Sequence, residues 1–155
     1  MICQRADISK QKLDNLYKRS SVLSADAEML SHWSRYLCVL TSGFFEDAIR
    51  AIYSEYAERR SGSEISRYVQ LQLNRFQNPR MGNILNLVQS FSLEWREEIV
   101  VHISEDAKDA MDSIVSNRHN IAHGRDVGLT MHTLQEYYFK AVKIVELIDQ
   151  QCNQG

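Results

Sequence analysis

The chain has 155 residues, 44% of them apolar and 25% charged, a length and balance that suit one domain with a sizeable core and exclude global disorder. Its formal net charge of −2 excludes a uniformly basic glove for nucleic acid, so any RNA contact needs a local patch. The longest apolar run, Tyr36-Leu37-Cys38-Val39-Leu40, is five residues, far too short for a membrane span.

Apolar spacing is helical almost throughout. The opening MICQRADISK has no apolar stretch and does not read as a signal peptide. A soluble, cytoplasmic protein without a membrane partner is the expectation. Ile8 to about Val22 reads as a first helix, with Leu13, Leu16 and Tyr17 on one side. Ser24 reads as a fresh N-cap, with acids in the turn that follows. A long helix then runs to about Arg60, with Trp33, Leu37, Leu40, Phe44, Ala48 and Ile52 as its stripe. Ser61-Gly62-Ser63 interrupts it, a short helix follows to about Phe76, and Asn78-Pro79 breaks the pattern. Ile84 to Phe91 is another helical piece, and Ser92 starts the next, which carries Trp95, Ile99 and Val100. Ser104-Glu105-Asp106 opens a helix that reaches His123, with Gly124 as its C-cap. After a loop over 125–129, Thr130 or Thr133 caps a last helix to about Gln150, and Thr133–Glu136 has capping-box spacing. The expected fold is an all-α bundle of about four main helices plus short connecting helices, a single domain over 1–155.

No glycine-rich turn follows a β-like run, so neither dinucleotide nor P-loop chemistry is indicated. Cys3, Cys38 and Cys152 are far apart, form no zinc-ligand spacing and read as free thiols.

One helix carries an anomaly. At about 100° per residue, Ala107, Ala110, Met111, Ile114, Val115, Ile121 and Ala122 form one stripe, and Arg118 falls near its middle. A buried arginine needs an anion or several acceptors. A structural salt bridge or a snorkelling side chain answers that need as well as a ligand does. The next turn adds His119, Asn120 and His123. His119 and His123 share a face at a spacing of four. These residue types suit phosphoryl chemistry. Arginine grips two phosphate oxygens, histidine moves a proton near neutral pH, and asparagine steadies an imidazole or an oxyanion. RNA supplies its own nucleophile, the 2′-hydroxyl, so such a site needs no metal or other cofactor. The two histidines could also hold a metal, yet no third ligand is evident, so no metal site is expected.

Arg118-His119-Asn120-Ile121-Ala122-His123 resembles the signature of the HEPN superfamily, an Arg and a His separated by four to six residues, with a polar residue often directly after the Arg. Whether His119 or Asn120 fills that polar role stays open. Tyr36 to Glu46, Arg75-Phe76-Gln77-Asn78-Pro79 and Ile114 to Arg125 resemble the RiboL-PSP-type branch. The likeness runs from about Trp33 to Ile148, leaving residues 1–30 as an N-terminal helical extension. The resemblance implies a homodimer in which two such motifs form a composite, metal-independent endoribonuclease site. It implies 2′,3′-cyclic phosphate and 5′-hydroxyl ends. It also implies a toxin or phage-defence role, restrained by an antitoxin or other regulatory protein. Some members only bind nucleotides or proteins.

On that reading His123 moves the proton and Arg118 clamps the phosphate, with Asn120 and His119 as auxiliaries. Glu46 stands where relatives carry an acid, and it could orient Arg118 or His123 from a facing helix. Arg125, Arg75 and Arg80 are candidate RNA contacts. Arg59, Arg60 and Arg67 read first as solvated helix surface.

Overall fold

A computed structural model of the chain describes residues 1–22 and 26–154. Among these there are seven helices and no strand: α1 (Gln4–Ser21), α2 (Ala27–Arg60), α3 (Ser63–Leu73), α4 (Met81–Phe91), α5 (Leu93–His102), α6 (Glu105–Ala122) and α7 (Met131–Asn153). The all-α expectation holds, with four long helices and three short ones.

The long helix α2 is the shared wall. It packs against α1, α3, α6 and α7, and α6 also packs on α7. Its buried positions, from Leu37 and Phe45 to Ile52 and Tyr53, recur at helical spacing. Tyr17 of α1 stacks on Tyr138 of α7, with centroids 4.8 Å apart, and its hydroxyl meets Thr41 Oγ1 of α2 at 2.6 Å. At the other end, Tyr53 stacks on Phe91 of α4 and Tyr56 meets Trp95 of α5 edge-on. The three cysteines are free and buried, and burial pushes the Cys38 thiol up to about 12. No helix of the described residues is long and apolar enough to cross a membrane.

Several boundaries follow the expected caps. Ser92 and Ser104 each accept a hydrogen bond from the backbone N–H three residues on. Ser24 lies outside the described residues, and the described cap of α2 is Asp26, which accepts from Met29 N at 2.8 Å. α1 begins at Gln4, four residues before Ile8, because Ala6 and Cys3 are also buried. The Thr133–Glu136 capping box is not formed. Thr130 caps α7, accepting from Thr133 N at 3.1 Å, so Thr133 already lies inside the helix.

The stripe on α6 is corrected as well. Ala107, Ala110, Met111, Ile114 and Val115 are buried, but Ile121 is only partly covered and Ala122 is exposed. Arg118 is therefore half-buried, not set in the core. Beyond Val115 the neighbour of α6 is a polar loop, residues 74–80, and that loop offers acceptors where a helix would offer apolar side chains.

Loss of the α7 cap tests the revised boundary. Thr130→Ala is expected to lower stability by about 1 kcal/mol, read as a lower urea midpoint at unchanged slope. Thr133→Ala removes no cap and gains helix propensity, so it is expected to cost less than half as much.

Candidate functional site

The end of α6 is shaped by its glycine. Gly124 has φ +68°, a conformation that side chains rarely adopt. Its N–H donates to Ile121 O at 3.0 Å, and Arg125 N donates to Asn120 O at 2.9 Å. This pair of bonds closes the helix in a Schellman motif and folds Arg125 back over the last turn. The Arg125 guanidinium then reaches Asn120 Oδ1 at 3.1 Å. His119 and His123 stand beside each other, with ring centroids 4.5 Å apart and planes inclined at 60°. Both imidazoles and Arg125 are exposed.

The 74–80 loop forms the second wall. It crosses from α3 to α4 and is tied down on both sides. Towards α2, Arg50 donates to Phe76 O, and Glu46 Oε2 accepts from Asn78 N at 3.0 Å. Towards α6, Arg80 donates to Ser116 Oγ at 2.9 Å, and Asp112 accepts from Met81 N at 2.7 Å. Arg118 Nη1 reaches Asn78 Oδ1 at 3.5 Å.

Arg118, His119, Asn120, His123 and Arg125 are thus gathered at one end of α6, and Arg80 joins them from the loop. Arg75 sits in the same loop, exposed. Glu46 bonds neither Arg118 nor His123. It pairs with Arg50 at 3.0 Å and reaches Arg118 only through Asn78. Asn120 accepts from Arg125 and holds no imidazole. Asn78, Asp112 and Ser116 had no role in the sequence reading. The helix-breaking Asn78-Pro79 pair, the resemblance over Arg75 to Pro79 and the candidate contacts Arg75 and Arg80 were the signals pointing to this loop.

The charge pattern is one-sided. Among the described residues, Arg80, Arg118 and Arg125 have no carboxylate partner, and each meets a neutral side-chain oxygen instead, on Ser116, Asn78 and Asn120. Arg5, Arg35 and Arg50 form ion pairs, while Arg19, Arg59, Arg60, Arg67, Arg75 and Arg96 form none among the described residues. Local desolvation and repulsion from His123, Arg125, Arg80 and Arg118 hold the His119 imidazole below its ordinary value of 6.5. A polar cleft of about 360 Å³ beside Arg50, and an apolar one of about 500 Å³ beside Leu129, contain none of the cluster's residues. Among the described residues no group of three His, Cys, Asp or Glu side chains could hold a metal ion. What the arrangement can do is bind a phosphate and stay uncancelled until it does.

The His119 shift has a definite sign. Its folded pKa lies below the unfolded one, so the stability it confers above the ordinary value is lost as pH falls through the lowered value. In a proton NMR titration, His119 is expected to protonate at lower pH than a free imidazole. Arg80→Ala or Arg125→Ala is expected to raise that midpoint, and a bound polyphosphate to raise it further. A midpoint unmoved by either variant would contradict the repulsion.

Residues 5–154 match the family model for RiboL-PSP-HEPN. The match takes in α1 as well as the later helices. No curated protein and no solved structure matches the chain. With nearly its full length aligned to that model and an Arg-x4-His motif at the end of α6, the chain belongs to the RiboL-PSP-HEPN family.

Proposed function

We propose that this chain is a metal-independent endoribonuclease that acts as a homodimer. The family consists of RNase-type or nucleotide-binding modules. The observation that carries the finer reading is the cluster itself: three guanidiniums without carboxylates, set around two exposed histidines.

In this reading Arg118 grips the scissile phosphate and Arg80 and Arg125 hold flanking phosphates, with Arg75 at the rim. A general base takes the proton of the 2′-hydroxyl. The 2′-oxygen bonds to phosphorus, the bond to the 5′-oxygen breaks, and that oxygen receives a proton. The products are a 2′,3′-cyclic phosphate and a 5′-hydroxyl. His123 serves one proton transfer and the second copy's His123 the other. His119, kept neutral, lines the site without adding to its charge, and Asn120 holds Arg125 in place. The exposure of both imidazoles supports this division, because a second copy can close over them. The whole chain works as one domain, α1 included. Its cellular role is that of a toxin or phage-defence effector, held in check by an antitoxin or regulatory protein.

A second reading is a HEPN module that binds a nucleotide or protein without cutting. It is favoured by the engagement of Asn120, whose Oδ1 accepts from Arg125 and orients neither imidazole.

Total RNA incubated in EDTA with the wild type is expected to acquire cyclic-phosphate ends. Arg118→Ala and His123→Ala are each expected to slow this by at least ~100-fold. Intact RNA in every lane would select the binding module. Affinity for single-stranded RNA is expected to fall with salt, and Arg125→Ala to reduce the log–log slope by about 0.7.

A further inference from the structure

Asn78 is the one non-glycine residue with a positive φ, +53°, among the described residues. It also precedes Pro79, and a proline restricts the backbone of the residue before it. Such a conformation persists only where its surroundings over-determine it. They do so here. Its N–H donates to Glu46, and its C=O accepts from Arg80 N at 2.7 Å and Asn83 Nδ2 at 2.8 Å. Phe76 and Pro79 on either side are buried. Everything except the carboxamide is held, and the carboxamide oxygen faces the Arg118 guanidinium.

The chemistry of that oxygen matters. A carboxylate beside Arg118 would orient it and cancel its charge. An amide orients it and leaves the charge for an anion. The carboxylates nearest the loop, on Glu46 and Asp112, bond backbone N–H groups instead. A single contact to Asn78 leaves the other guanidinium donors for phosphate oxygens.

We infer that Asn78 is a positioning residue for Arg118: a loop anchored on both α2 and α6 presents a neutral acceptor that aims the guanidinium at an RNA phosphate. This rests on the proposed role of Arg118 as a phosphate clamp. A merely conformational role for Asn78 makes a different prediction, because glycine tolerates the same φ and would serve as well.

The test uses the full chain with Asn78→Gly and Asn78→Asp, and a 2′-O-methyl RNA oligonucleotide that binds but has no attacking hydroxyl. Asn78→Gly keeps the backbone and removes the acceptor. It is expected to leave the melting temperature within a few degrees of wild type. The Arg118 Nε–H resonance is expected to lose order in ¹⁵N relaxation, and oligonucleotide affinity to fall about three- to tenfold. Asn78→Asp is expected to keep Arg118 ordered yet weaken the oligonucleotide, because it cancels the charge. Wild-type order and affinity in Asn78→Gly would overturn the inference. A wild type that binds the oligonucleotide but cuts no RNA would remove the ribonuclease reading and leave these readouts intact. A wild type that does not bind it would overturn both.

Discussion

The 34 residues of α2 span about 51 Å, and the other parts of the molecule take their positions from that one helix. Thr41 meets α1, Cys38 faces Ile114 of α6, and Tyr53 stacks on α4. Burial of its apolar faces fixes these neighbours, since each large buried side chain contributes about 1.5–3 kcal/mol. The polar residues along one edge of the same helix then place the loops. Arg35 pairs with Asp126 at 3.4 Å, while Glu46 and Arg50 hold the 74–80 loop. These two loops flank the end of α6. A single rigid element therefore sets both walls of the site, although it contributes none of the cationic groups.

The division of labour between acids and neutral oxygens explains how so much positive charge stays in one place. Glu46 and Asp112 stabilise backbone N–H groups of the loop, which lack partners inside a helix. Ser116, Asn78 and Asn120 orient the guanidiniums without neutralising them. Exchanging the two roles would leave the loop equally tied but the cluster silent towards phosphate. Desolvation and the residual repulsion hold the His119 imidazole below its ordinary value.

Most of the fold was legible in the sequence, because α2, α6 and α7 each bury a face at regular helical spacing and α6 starts at the expected cap, Ser104. Gly124 was legible for the same local reason: a positive φ after a helix calls for glycine. What local pattern could not supply was the extent of the core along α6. Spacing places Arg118 on the apolar stripe, but only the 74–80 loop, some 40 residues earlier in the chain, decides that the stripe is polar-facing there. Thr130 and Thr133 are both plausible caps by type, and the choice between them depends on where Leu129 and Leu134 are buried. Arg118, His119, Asn120, His123 and Arg125 were singled out by their spacing at the end of α6 and by the family resemblance. The contact of Asn78 with Arg118 was not foreseen because it is tertiary. Nothing within its own segment distinguishes a turn-forming asparagine from one that faces an arginine on another helix.

On the proposed reading, the net charge of −2 bears on how the cluster selects its ligand. A polyanion approaching the rest of this surface meets no excess of positive charge, and at physiological salt fields fade over about 8 Å. The three guanidiniums at the end of α6 and in the 74–80 loop would then act at short range, at the site itself. A chain that was basic all over would hold RNA in many registers, most of them unproductive. On the proposed reading the guanidiniums stand beside His119 and His123, so contact with phosphate and alignment at the imidazoles go together. That coupling makes the proposed site sensitive to how Arg118 is aimed.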